Sequence, residues 1–137
     1  MKNLLQKLFN LSPQSRDGLK QAQREAMVDV LLYCMYADNR LAVKEDRILA
    51  DAVGQFSWDP KVSYDAYAAR SIANARALKE AESPATRAEF LSSVAARLDT
   101  RAAKLRTLTL CRKIFQADGD VSASEQELLR DLQKHLA

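Results

Sequence analysis

An all-α fold, a compact bundle of about six or seven helices, is what this sequence predicts, and three observations predict it. Apolar residues recur at three-and-four spacing along most of the chain, as they do in helices that bury one face. No run alternates with period two over more than a few residues, as a half-exposed strand would. Three glycines and three prolines in 137 residues leave little material for turns, so the connections are short and helices pack directly on one another.

The elements follow in chain order. Leu4, Leu5, Leu8 and Phe9 form an apolar stripe opposite Lys2 and Lys7. This predicts an amphipathic extension over residues 1–13 that packs back on the domain, with a membrane-surface anchor as the other use of such a stripe. The segment lacks the uninterrupted apolar core and small-residue cleavage site of a signal peptide. From about Gln14 to Tyr36, residues Ala26, Met27, Val30, Leu31, Cys34 and Met35 place one apolar face on a long amphipathic helix, and Leu49, Ala52, Val53 and Phe56 repeat the pattern. Asp59-Pro60 supplies a cap and a first-turn proline, predicting a helix to about Glu80. Ser83-Pro84 does the same for a helix bearing Phe90, Leu91, Val94 and Leu98. A break near Asp99-Thr100 precedes a helix with Leu105, Leu108, Cys111, Ile114 and Phe115, and Leu128, Leu129, Leu132 and Leu136 mark the last.

Composition narrows the function. With 47% hydrophobic residues, one domain over 1–137 can bury roughly two-thirds of its unfolded surface and needs no metal or disulfide merely to fold. The 21 Lys and Arg against 18 Asp and Glu give a net charge of +3 with no block of like charge, which argues against nucleic acid as a partner. No stretch approaches the roughly 18 apolar residues of a membrane span, so the chain is not transmembrane and is expected in the cytoplasm or peripheral at the inner membrane. Cys34 and Cys111 stand alone in apolar segments and are expected as buried free thiols. His135, the one histidine, sits at the C-terminal end, too far out for a nucleophile–histidine pair. Trp58 is expected as a corner aromatic. The spacing of Tyr33 with Tyr36 and of Tyr64 with Tyr67 suits helix packing, and Arg70, Arg76, Arg97, Arg101 and Arg106 are expected on solvated faces.

The informative feature is an internal pseudo-repeat. The stretch Ala37-Asp38-Asn39-Arg40-Leu41-Ala42-Val43-Lys44-Glu45 aligns without gaps on Ala117-Asp118-Gly119-Asp120-Val121-Ser122-Ala123-Ser124-Glu125. Each copy follows one apolar helix and opens another. Helix-end chemistry explains much of it: Asn39 and Gly119 tolerate the left-handed conformation after a helix, Ser122 and Glu125 form a capping box, and Leu41 and Val121 are placed as hydrophobic staples. The aspartates fit less well, because Asp38 and Asp118 fall at helix C-termini, where the macrodipole disfavours an anion. Asp38 with Glu45 and Asp118 with Glu125 would bring two carboxylates to each corner, and such a gathering of like charge calls for a cation.

An EF-hand is the first comparison. The run from Asp118 to Glu125 matches the second half of that calcium loop. Its two leading ligand positions fall on Ile114 and Gln116, and on Cys34 and Tyr36 in the first copy, none with a carboxylate side chain. A standard EF-hand is rejected, and a half-site remains in each repeat.

These paired corners, at the ends of an all-helical domain of this length, resemble the tellurite-resistance TerB family and the related N-terminal helical domain of DjlA-type co-chaperones. The resemblance covers roughly residues 20 to 137. It implies a compact helical fold, a non-enzymatic role in bacterial tellurite resistance or stress response, and protein partners that include membrane-associated stress proteins. It also implies a divalent metal, Ca, Mg, Mn or Zn, held by Asp38, Glu45, Asp118 and Glu125. The first copy departs from the pattern: Asn39 stands for glycine, Ala42 for the capping serine, and Arg40 occupies the place of Asp120. The residues themselves leave two readings open, a metal-binding domain and a metal-independent protein-interaction module. No histidine or nucleophile accompanies the carboxylates, so an enzyme is not expected.

Overall fold

The computed structural model describes residues 18–36, 43–81, 83–117 and 121–137, with the backbone alone for 43–46. The extension over 1–13 and the tips of both corners, Asp38 and Asp118 among them, lie outside the described residues. Six helices are described: α1 Gln21–Met35, α2 Val43–Gly54, α3 Tyr64–Glu80, α4 Pro84–Leu98, α5 Arg101–Gln116 and α6 Ala123–Leu136. Among them none is long and apolar enough to cross a membrane.

The all-α expectation holds, but α1 is not the amphipathic surface helix that its three-and-four pattern suggested. All of its residues except Gln21, Ala22, Glu25 and Asp29 are buried, including Val28, Leu32 and Tyr33 on the face expected to meet solvent. Helices α2, α3, α4 and α5 pack around it, and α6 closes the bundle against α4 and α5. A helix apolar nearly all round is stable only in such a central position. Pairings along its length set the directions of its neighbours. Tyr67 meets Asp29 and Arg76 meets Tyr36, so α3 runs parallel to α1. Gln23 meets Leu98, Arg97 meets Asp29 and Arg87 meets Tyr33, so α4 runs antiparallel. Both free thiols, Cys34 and Cys111, are buried as expected.

Local chemistry sets the helix starts. Ser83 accepts from the Thr86 amide at 3.1 Å ahead of Pro84, and Thr100 accepts from Ala103 at 3.1 Å. The start of α3 departs from expectation. Asp59-Pro60 does not cap it; the Asp59 carboxylate instead accepts from the Lys61 amide at 2.9 Å and closes a turn, and Ser63 is the cap, accepting from Ala66 at 3.2 Å. Trp58 pins this turn by donating to the Val62 carbonyl at 2.8 Å and standing edge-on to Tyr64, a corner aromatic as expected.

The α4–α5 connection is strained. Asp99 has φ +70° and ψ −48°, and the Thr100 amide donates to the Leu98 carbonyl at 2.7 Å across it, a γ-turn of the rare positive-φ kind. The same carbonyl accepts from the buried Gln23 side chain at 2.6 Å, tying the end of α4 to the first turn of α1.

Candidate functional site

Of the four acids singled out in the sequence, Glu125 alone has a described side chain. It is 1% exposed, its carboxylate accepts from the Ser122 amide at 3.0 Å, and its own amide donates to the Ser122 hydroxyl oxygen at 3.1 Å. That is the capping box the sequence predicts, and Val121 packs against the core beside it. Asp38, Asp118 and the Glu45 side chain lie outside the described residues. Among those that are described, no three carboxylate, histidine or thiol groups come together.

The structure assembles a different constellation. On α1 the residues that escape burial fall in one line, and Asp29 is the member of that line furthest along the helix. Helix α3 presents Tyr67 and Ser71, four residues apart on one face, and α4 presents Arg97 from the opposite side. All three converge on the Asp29 carboxylate. The Tyr67 hydroxyl lies 3.0 and 2.9 Å from its two oxygens, the Ser71 hydroxyl donates to Oδ1 at 2.7 Å, and Arg97 Nη1 donates to Oδ2 at 2.7 Å.

Burial sharpens this electrostatics. Burial first, and then the Asp29 charge and hydrogen bond, push the Tyr67 phenol well above its ordinary value, so it stays a donor. For Arg97, burial alone would lower the guanidinium, but the hydrogen bond and charge of Asp29 outweigh it and the net shift is upward. Arg97 Nε is buried with no hydrogen-bond partner among the described residues.

Asp29, Ser71 and Arg97 of this cluster line a cleft of about 480 Å³ between α3 and α4. Its walls are Ala75, Ala77, Leu78 and Ala81 on one side and Phe90 on the other, with Asn74 on the α3 side. Alanine at 75 and 77 on α3, and at 81 just past its end, leaves the space that a larger side chain would fill. The volume falls within the usual range for ligand sites, and an apolar cleft with a few convergent polar groups is the form such sites take.

No family model matches this chain, and no curated protein or solved structure matches it. The cleft must therefore be read from its own residues. Sequence reasoning missed it: Arg97 was expected on a solvated face and Tyr67 as a packing aromatic. One signal was present, since Asp29 is the single charged residue in the run from Ala26 to Tyr36. A lone carboxylate within an otherwise buried helix requires partners.

A smaller cavity of about 240 Å³ lies where α4 meets α6. There Arg87 Nη1 pairs with Asp131 at 3.1 Å and approaches Glu127 at 4.0 Å, while Nε donates to Tyr33 at 3.3 Å. Held from α1 and from α6, the Arg87 guanidinium ties both to its own helix, α4.

Proposed function

We propose that this domain is a non-enzymatic, metal-independent protein-interaction module, and that the cleft between α3 and α4 receives an apolar segment of a partner. The observation that carries the proposal is the pairing of an alanine-lined cleft with a fixed cation in its floor. A partner side chain fills the apolar space, and an acceptor group, a carboxylate or a chain carbonyl, meets the guanidinium of Arg97, which Asp29 holds in place. Ser71 is buried and donates to Asp29, with no histidine beside it to activate the hydroxyl, and this supports a binding role over a catalytic one.

The test is an amide-resolved NMR titration with two probes of equal size, N-acetyl-leucine and its neutral amide. The expected result is millimolar binding, as about 0.3 kcal/mol per heavy atom implies, with shifts centred on Ala77, Leu78 and Phe90. The carboxylate should bind more tightly, and Arg97→Ala should erase that preference. Equal binding of both probes, or shifts confined to other surfaces, defeats the proposal.

The TerB-like reading, with a divalent ion held by the acidic corners in a bacterial stress-response setting, makes a separate demand. Chelator-treated protein given Ca²⁺, Mg²⁺, Mn²⁺ or Zn²⁺ at 100 times the Kd should gain about 2.7 kcal/mol of stability, and Asp38→Asn/Asp118→Asn should abolish the gain.

A further inference from the structure

We propose that the outer face of α5 is a second docking surface, one that takes an acidic, helix-forming segment of a partner protein. This inference is independent of the α3–α4 cleft. Helix α5 carries Arg101, Lys104, Arg106, Arg112 and Lys113, and the sequence from 101 to 116 contains no acidic residue. Since the whole chain has a net charge of +3, this one helix holds more positive charge than the molecule does in total, and the remainder is net acidic. The even spread of charge that argued against a polyanionic partner thus fails at this helix.

Burial shows where the charge points. Ala103, Thr107, Leu108, Cys111, Ile114 and Phe115 form the inward face. Arg101, Leu105, Thr109 and Lys113 are exposed along the outward one, with Arg112 at its margin, while Lys104 sits at the N-terminal end of the stripe that continues into the buried Thr107, Leu108 and Cys111. Lys20 pairs with Asp99, Arg87 with Asp131 and Arg97 with Asp29, whereas Lys61, Arg70 and Arg130 stand without an ion pair among the described residues but are scattered over three separate segments. Arg101, Lys104, Arg112 and Lys113 have no ion pair among the described residues. Arg101 also occupies the first turn, where the helix dipole opposes a cation. A face that accepts this repulsion is matched by an acidic surface.

Leu105 selects the class of partner. It is 39% exposed and is the large hydrophobic side chain left open on the described surface, with cations before and after it. One such residue suits the apolar contact of a helix–helix interface but gives a membrane little to hold, and no aromatic side chain is present on this face to stack a base. Arg101 and Arg112 are about 16 Å apart along the axis, the length of about three turns of an acidic helix.

The test uses a fluorescein-labelled amphipathic Glu/Leu peptide of about 18 residues and follows its polarisation on titration with the protein. Binding is expected to weaken at least tenfold from 50 to 200 mM salt and at least tenfold in Arg101→Glu/Arg112→Glu/Lys113→Glu. Leu105→Ala should weaken it several-fold. Lys61→Glu/Arg70→Glu/Arg130→Glu changes net charge equally elsewhere and should retain binding within a factor of three. A milder set, Arg101→Gln/Arg112→Gln/Lys113→Gln, gives the same reading if the reversed variant is misfolded. Equal loss in both charge-reversed variants overturns the proposal. So does tighter binding of a single-stranded oligonucleotide or of phosphatidylglycerol vesicles with the same dependence on α5.

Discussion

Arg97 reaches across from α4 to place its Nη1 2.7 Å from Asp29 Oδ2 on the central helix, with the arginine 32% and the aspartate 16% exposed. A pair at this depth is neither a screened surface contact nor a fully dry one. It joins two antiparallel helices at the point where α3 adds Tyr67 and Ser71, so one carboxylate organises three helices.

Removal of the two partners is therefore unequal. Asp29→Ala leaves a half-buried cation and two hydroxyls without their acceptor and should cost about 2–3 kcal/mol in urea unfolding. Arg97→Ala leaves Asp29 still served by Tyr67 and Ser71, and its partial exposure reduces the loss to about 1 kcal/mol. The double variant should fall short of additivity by about 1 kcal/mol, which a thermodynamic cycle would measure. Strict additivity would mean that the contact contributes nothing.

Tyr67 adds a pH dependence of defined sign. Its folded value lies above the ordinary 10.0, so the fold holds the phenolic proton more tightly than the unfolded chain does. The contribution is complete below pH 10 and is lost as pH rises above it. Tyr67→Phe should cost about 1 kcal/mol at neutral pH, where Asp29 loses a donor, and should flatten the fall in urea midpoint above pH 10. Tyr64 is also shifted upward, first by burial and then by Asp65, so some slope should persist. An unchanged slope in Tyr67→Phe would refute the assignment.

Much of the fold was legible because local chemistry decided it. Ser83-Pro84 and the Ser122/Glu125 box each satisfy amides within four residues, and the structure uses them as read, while the break near Asp99-Thr100 turns out to hold a cap as well, Thr100. Asp59-Pro60 misled because an aspartate closes a turn as readily as it caps a helix, and Trp58 decides between them through a contact that spacing does not show. The central place of α1 was partly written in Val28, Leu32 and Tyr33, but a three-and-four pattern reports one face and leaves open what covers the other. Arg24 carried no signal at all. It is 2% exposed, with Nη2 on the Leu19 carbonyl at 2.7 Å, inside a turn that reads as polar. The cleft is a tertiary product of α1, α3 and α4, and Asp29 was its one trace.

Strain at Asp99 predicts a stabilising change. A non-glycine residue at φ +70° costs about 1–3 kcal/mol, and its ion pair with Lys20 at 3.7 Å is too exposed to offset this. Asp99→Gly removes the strain, but it also loosens the unfolded chain by about 1 kcal/mol. A net gain of about 1 kcal/mol in urea unfolding is expected. Asp99→Ala, which keeps a Cβ at the same φ, should not share it.

Glu125 distinguishes a cap from a metal ligand. Its carboxylate satisfies the Ser122 amide from a position 1% exposed, so Glu125→Ala should cost about 1–2 kcal/mol even in chelator, with no ion present. Glu125→Gln keeps an acceptor oxygen for the same amide and should recover most of that loss. A metal site inverts the comparison: the glutamine variant would then match wild type in chelator and fall behind it only when the ion is added, because the neutral amide is the poorer ligand for a hard cation. Thermal unfolding of wild type, Glu125→Gln and Glu125→Ala, each with and without millimolar Ca²⁺ or Mg²⁺, separates the two. Equal offsets between variants in both conditions assign Glu125 to the helix cap, and an offset that opens on addition of the ion assigns it to the metal.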